Sequence, residues 1–401
     1  MSKRVLMKGN EAVVKGAIAA QCRAFFGYPI TPQNEVPEYM SRYMPEAGGV
    51  FIQAESEIAA INMVYGAACA GIRAMTSSSS PGVSLKQEGL SYIAGAQLPC
   101  VIANVQRGGP GLGNIAPAQA DYFQAVKGGG HGDYKLLTLA PWSVPEMFHH
   151  AVLAFDLADK YRNPAMILSD AIVGQMLEPI DIPDSVEVNI PDKPWATTGA
   201  KGRARNAVTS LYIVPEDLEE INLQIQAKYA AACRDEVRWE EYETDDADLV
   251  LVAYGSTARI CRTTMSLARK KGLKVGLFRP ISLFPFPTNQ ISRLALAGKQ
   301  FLVAELSAGQ MVEDVRLAVN GAASVDFHGR LGGTVMSPLE VLEKAEAVLS
   351  RPLFPGFGQA VVDGRLVDGN GTVCPSATDS PVSNTLGAAA EAGGGSDAAG
   401  I

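Results

Sequence analysis

Two carboxylates, Glu55 and Glu57, stand in QAESEIAAINMVYGAA (53–68), where a short apolar run gives way to a helical pattern. A carboxyl group at a strand-to-helix junction is either a partner for the helix dipole or an acid–base group aimed at a ligand, and the neighbouring residues fit both. Further on, NVQRGGPGLGN (104–114) ends an apolar run on Arg107 and enters a glycine-rich loop with Gly108, Gly109 and Gly113. A guanidinium there can hold a carboxylate through two parallel hydrogen bonds, or make a surface ion pair. The loop lacks GxxxxGK[ST] and GxGxxG, so it reads as a mobile substrate loop and not as a nucleotide cradle. GYPITP (27–32) offers Pro29, Ile30 and Thr31 in a turn stiffened by its prolines, with Thr31 as a ligand hydroxyl or a helix cap. TSSSSPGVSLKQEG (76–89) brings hydroxyls to a helix start, suited equally to capping and to anion binding. KGGGHGDYK (127–135) carries His131 in a glycine-dense segment, either a flexible loop at a site or plain structure.

The elements that must position these residues follow from the apolar pattern. Residues 24–29, 50–54, 73–77, 100–106, 135–140 and 164–170 are short apolar runs with little alternation, which predicts strands buried on both faces. Helices are predicted between them over 10–22, with Asn10 as N-cap, over 56–70 and over 143–161. Strand–helix alternation of this kind predicts a parallel sheet with helices on both faces. The GYPITP turn, the two carboxylates, the hydroxyl run and Arg107 then lie at carboxyl ends of strands, where open α/β sheets bind ligands. Residues 185–245 carry several prolines and the charged run RDEVRWEEYETDDAD, and read as a connector with a helix over 215–231. A second α/β unit follows, with strands at 248–256, 274–280 and 300–306 and helices over 257–270, 288–296 and 310–320. From about 376 the Ala/Gly/Ser-rich tail cannot bury enough apolar surface to offset chain entropy and is expected to be disordered.

The bulk numbers agree with a globular protein of two or three domains: 401 residues, 47% hydrophobic and 19% charged. A net charge of −8 argues against general nucleic-acid binding and against an anionic membrane surface. The six cysteines are scattered and form no CxxC, so buried single thiols are expected in place of a disulfide framework, zinc site or iron–sulfur cluster. No leader pattern and no apolar stretch of roughly 20 residues is visible, so the reading is a soluble, cytoplasmic protein.

Taken together, KGNEAVVKGAIAAQCRAFFGYPITPQNEVPEYM (8–40), FIQAESEIAAINMVYGAACAG (51–71), MTSSSSPGVSLKQEGLSYIAGAQLPCVIANVQRGGPGLGN (75–114), QADYFQAVKGGGHGDYK (119–135) and FDLADKYRNPAMILSD (155–170) resemble the alpha-type, pyrimidine-binding subunit of 2-oxoacid:ferredoxin oxidoreductases. The resemblance is to the 2-oxoisovalerate and 2-oxoglutarate group, and AELSAGQM (304–311) extends it into the second unit. It implies a pyrimidine-binding α/β domain over 1–185, a linker over 186–245, a smaller transketolase C-terminal-like α/β domain over 246–350 and a C-terminal extension over 351–401. It also implies CoA-dependent oxidative decarboxylation of a 2-oxoacid to acyl-CoA and CO₂. Thiamine diphosphate would be shared with a diphosphate-binding beta-type subunit, since GDG followed by NN does not occur here. Mg²⁺ and 4Fe–4S clusters would belong to partner subunits, among them a gamma-type and a ferredoxin-like subunit. External ferredoxin or an NAD-linked acceptor would take the electrons, and the assembly would be a dimer of heteromers. By the same resemblance Glu57 bonds the aminopyrimidine ring and promotes its imino tautomer, and Thr31 and Arg107 contact the 2-oxoacid. Glu55, Pro29 and Ile30 would line the cofactor, and Gly108, Gly109, Gly113 and His131 would shape the substrate loops. An aromatic 2-oxoacid oxidoreductase subunit and a non-catalytic scaffold of the same fold are the alternatives left open.

Overall fold

The computed structural model describes residues 3–351, 360–362 and 365–367. The first half alternates strand and helix: β1 (Lys3–Lys8), α1 (Gly9–Ala19), β2 (Ala24–Gly27), α2 (Glu35–Glu46), β3 (Val50–Gln53), α3 (Glu57–Cys69), β4 (Ala74–Ser78), α4 (Ser80–Gly95), β5 (Cys100–Gln106), β6 (Leu137–Leu139), α5 (Val144–Tyr161), β7 (Pro164–Asp170), α6 (Ala171–Gln175) and β8 (Leu177–Ile182). The second half supplies α7 (Pro215–Asp235), β9 (Trp239–Tyr242), β10 (Leu249–Val252), α8 (Gly255–Lys270), β11 (Val275–Pro280), β12 (Ser282–Phe284), α9 (Thr288–Leu296), β13 (Gln300–Glu305), α10 (Met311–Val319), β14 (Val325–Gly329) and α11 (Pro338–Leu349).

Seven strands form one sheet in the order β12-β6-β7-β5-β4-β2-β3. Its centre is β5 against β7, in parallel register from Cys100↔Pro164 to Gln106↔Asp170. Both strands are buried along their whole length, as continuous apolar runs between two helical layers must be. Val13, Val14 and Ala17 of α1 pack with Phe148 and Phe155 of α5 in one core, and Ile61 and Val64 of α3 pack with Val83 and Leu90 of α4 in another. The second core continues into Tyr254 at the start of α8 and into Phe278 and Phe301 of the five-stranded sheet, ordered β14-β13-β10-β11-β9. The bidentate pair of buried Arg279 with Glu146, at 2.8 and 2.7 Å, ties the second sheet to α5.

Five sequence expectations are corrected. Asn10 lies inside α1 and caps nothing; Lys8 occupies the N-cap, and the Asn10 amide reaches out to the turn after β2. β3 is not buried on both faces, because it is the sheet edge and its residues are largely exposed. The connector supplies β9, which pairs antiparallel with β11, so its charged run includes an edge strand. The second unit also returns β12 to the first sheet, antiparallel to β6. Of the cysteines, Cys22, Cys100 and Cys261 are buried, and burial pushes the Cys22 and Cys261 thiols up to about 12. Cys233 is exposed and Cys69 half-buried, against the expectation of burial, and Cys374 lies outside the described residues. Among the described residues no helix is long and apolar enough to cross a membrane. The tail expected to be disordered from about 376 also lies outside them, while β15 (Ala360–Val362) and β16 (Arg365–Val367) form an antiparallel hairpin of their own.

Candidate active site

The carboxyl ends of the neighbouring strands β2, β4 and β5 bring three loops together. Arg107 follows β5 directly and is buried. Its Nη1 donates to the main-chain carbonyl of Thr31 and its Nη2 to that of Leu112, both at 2.9 Å. One side chain thus joins the GYPITP turn to the glycine loop. That loop is pinned where mobility was expected. Asn114 N donates to Gly108 O at 2.9 Å, and Asn114 Nδ2 reaches Gly332 O at 2.7 Å. Gly113 has φ 61°, and a Cβ there would stand 1.7 Å from Gly108 O, so only glycine closes this turn. Among the described residues, two of the five guanidinium N–H groups are occupied and the buried Nε has no partner, which leaves donors for an anion.

The GYPITP turn is braced from behind. Pro32 O accepts from Asn10 Nδ2 at 2.9 Å and from Gln175 Nε2 at 2.8 Å. Both amides also donate to Glu35, which Lys8 bridges at 2.9 Å. Burial alone would raise the Glu35 carboxyl; Lys8, Asn10 and Gln175 hold it below its ordinary value. Thr31 Oγ1 accepts from Asn34 Nδ2 at 3.1 Å. The Arg107 main chain is fixed by Ser80, whose Oγ accepts from Arg107 N at 3.1 Å and donates to Asp121 Oδ2 at 2.7 Å. Asn104 completes the cluster: its Nδ2 donates to Asp121 at 3.0 Å and its Oδ1 accepts from Ser80 N at 3.2 Å. Burial pushes the Asp121 carboxyl up, opposed by Ser80, Asn104 and Arg107. Ser80 has φ 23°, a strained conformation held by its three contacts with Arg107, Asp121 and Asn104.

Glu57 opens α3 directly after the N-cap Ser56, whose side chain accepts from Ala59 N. The residue is 6% exposed. Its carboxyl rests on α4 at Gly82, where a Cβ would come within 2.6 Å of Oε1 and 2.2 Å of Ser78 Oγ. Among the described residues the buried hydroxyls of Ser78 and Ser79 have no partner, like the Arg107 Nε. A carboxyl over a bare glycine, with unpaired donors at the adjoining strand ends, fits a polar heteroaromatic ring such as an aminopyrimidine. Glu55 and Pro29 are exposed, and Ile30 is half-buried in the same turn as Thr31. His131 is not part of this cluster. It is exposed, its carbonyl accepts from Ser91 Oγ at 2.7 Å, and its ring meets Tyr92 edge-on, so its loop lies on the second half of α4. Sequence reasoning passed over Ser80, Asn104, Asp121, Gly82, Glu35 and Gln175. Only the hydroxyl run and the motif glycines hinted at them, since their partners come from distant segments.

Comparison with known proteins decides the family. Residues 15–243 match the model described as "Pyruvate flavodoxin/ferredoxin oxidoreductase, thiamine diP-bdg", and 247–341 match "Pyruvate:ferredoxin oxidoreductase core domain II". The chain belongs to the pyruvate flavodoxin/ferredoxin oxidoreductase family. It is 52% identical to ketoisovalerate oxidoreductase subunit VorB of Methanothermobacter thermautotrophicus, over 86% of this chain and 97% of that one. It is 38% identical to 2-oxoglutarate synthase subunit KorA of Methanothermobacter marburgensis, over 86% and 99%. The 2-oxoglutarate:ferredoxin oxidoreductase of Magnetococcus marinus, solved with 2-oxoglutarate, coenzyme A and succinyl-CoA bound, superposes with a TM-score of 0.78 at 27% identity, covering 86% of this chain and 65% of that one. A split-gene transketolase, at TM-score 0.55 and 12% identity, shares the fold alone. As a member of this family the chain is a subunit of a 2-oxoacid:ferredoxin oxidoreductase, with mixed α/β domains of the thiamine-enzyme pyrimidine-binding kind.

Proposed function

We propose that this chain supplies the pyrimidine-side half of the active site in a CoA-dependent oxidative decarboxylation of a branched-chain 2-oxoacid. The observation that carries it is the buried Glu57 carboxyl seated on Gly82, together with a buried Arg107 whose Nε has no partner among the described residues. When bound, thiamine diphosphate supplies the nucleophile and electron sink for the decarboxylation. Glu57 holds and moves the proton of the ring nitrogen, work that suits a carboxyl withdrawn from water. Arg107 orients the substrate carboxylate through its Nε and remaining Nη hydrogens, and Thr31 stands at the same point through its carbonyl contact. The likeness to a ketoisovalerate oxidoreductase subunit supports the same substrate class. Partner subunits would hold the diphosphate, Mg²⁺ and iron–sulfur clusters, and ferredoxin would take the electrons.

The test is Glu57→Gln in the reconstituted complex, with a panel of branched, dicarboxylic and aromatic 2-oxoacids. A loss of about 100-fold or more in 2-oxoacid-dependent acceptor reduction is expected, with branched substrates preferred in the wild type. A wild-type rate for the variant would refute the role given to Glu57, and an aromatic preference would refute the substrate class.

A further inference from the structure

Lys86 is fully buried in α4, yet its ammonium makes one hydrogen bond among the described residues: Nζ donates to the main-chain carbonyl of Glu57 at 3.3 Å. Lysine offers three donors, so this cation is under-coordinated at a depth where an unbranched apolar chain would pack at no such cost. Its place in the helix gives the reason. Residues four apart lie on one helix face, so Lys86 is one turn beyond Gly82, the residue on which the Glu57 carboxyl rests. The ammonium is outside ion-pair distance of that carboxylate and grips the carbonyl of the same residue instead. From the elements packed against α4, namely α3, β5, β7 and α7, Glu57 is the charged group that acts on it.

We propose that Lys86 is a positioning residue for Glu57: its buried ammonium anchors the first turn of α3 and biases the proton shared between this residue and the ring nitrogen. A positive charge in a dry site favours the carboxylate, so a proton shared between Glu57 and a ring nitrogen is displaced toward the ring. Burial pushes the Lys86 amine down to about 8, with Glu57 opposing. The ammonium is therefore charged at neutral pH and loses its charge as pH rises through about 8, which removes the bias on the alkaline side. The proposal rests on the reading of Glu57 as the ring-proton carrier.

The experiment uses the reconstituted complex freed of thiamine diphosphate. Titration calorimetry with thiamine diphosphate, in buffers of different ionisation enthalpy, gives the protons taken up per site as a function of pH. Lys86→Met removes the hydrogen bond and the charge, whereas Lys86→Gln keeps an N–H for the carbonyl and removes the charge alone. Both are expected to move the acid limb of the uptake curve up by about one pH unit, a tenfold change in proton affinity. Should the methionine variant fail to assemble, the glutamine variant decides alone. Glu57→Gln is expected to abolish the uptake; if it does not, the reading of Glu57 fails whatever Lys86 does. If it does, and neither Lys86 variant moves the limb, the proposal is overturned, as it is if only the methionine variant moves it.

Discussion

Alanine at position 82 should disable the site while leaving the fold nearly intact. The added Cβ would come 2.2 Å from Ser78 Oγ, 2.6 Å from Glu57 Oε1 and 3.2 Å from Glu57 Cδ, whereas ordinary contact begins near 3.4 Å. The hydroxyl and the carboxyl must each retreat by about 1 Å. Both are side-chain ends, so the backbone of α4 need not move. Overpacking of this kind costs roughly 1–3 kcal/mol, and the helix preference for Ala over Gly returns about 1 kcal/mol. The net loss of stability is then about 0–2 kcal/mol. Misplacing a reacting group by about 1 Å costs on the order of 100-fold in rate. Gly82→Ala is therefore expected to fold, assemble and turn over about 100-fold more slowly. Acceptor reduction by the complex measures the rate, and urea denaturation of the chain measures the stability. A folded variant with the wild-type rate would show that the Glu57 carboxyl does no work where it rests.

Two further outcomes follow from groups behind the site. Asp121→Ala leaves the Ser80 hydroxyl and the Asn104 amide without their shared acceptor. It is expected to lower unfolding stability by about 2 kcal/mol, read from the urea midpoint, and to weaken substrate binding through a loosened Arg107; an unchanged midpoint would count against the cluster. His150 is buried beside Glu146 and Arg279, and burial pushes its imidazole down to about 4 from an ordinary 6.5. The unfolded chain binds the extra proton between those values, so stability falls as pH drops from 6.5 toward 4. Roughly 2 kcal/mol should be lost between pH 7 and pH 5, and His150→Gln should remove that share of the slope.

The elements that sequence patterning found are those whose local signal matches their final environment. β5 and β7 are unbroken apolar runs and are buried on both faces. α3 begins at a serine cap and α5 at another, each with the side-chain bond such a cap should make. What the patterning missed has a local signal that contradicts its place. α2 carries Pro37 and Pro45, near its two ends, where helices tolerate the missing N–H or are about to finish. β9 is drawn from a charged run because an edge strand needs only one buried face. The three residues of β12 are too few to show any period, and they join a sheet whose other strands lie over a hundred residues earlier in the chain.

The site divides along the same line. Residue type and strand-end position made Thr31, Glu57 and Arg107 candidates, and the family resemblance chose them from among the others. What sets their chemistry does not travel with the local sequence. Glu57 depends on a bare glycine in the next helix, Arg107 on a serine and an aspartate from two other loops, and the Thr31 turn on Asn10, Glu35 and Gln175. Burial is where local reading fails most. Leu112 belongs by type inside the protein and is 81% exposed, with its carbonyl held by Arg107. Lys86, a charged residue that by type belongs in water, is buried completely. Leu112 stands in the glycine loop and Lys86 in α4, and a fold keeps such residues against their solvation preference only where another requirement outweighs it. A charge forced out of water beside Glu57 is therefore the feature that most directly couples the packing of α4 to the proton role proposed for Glu57.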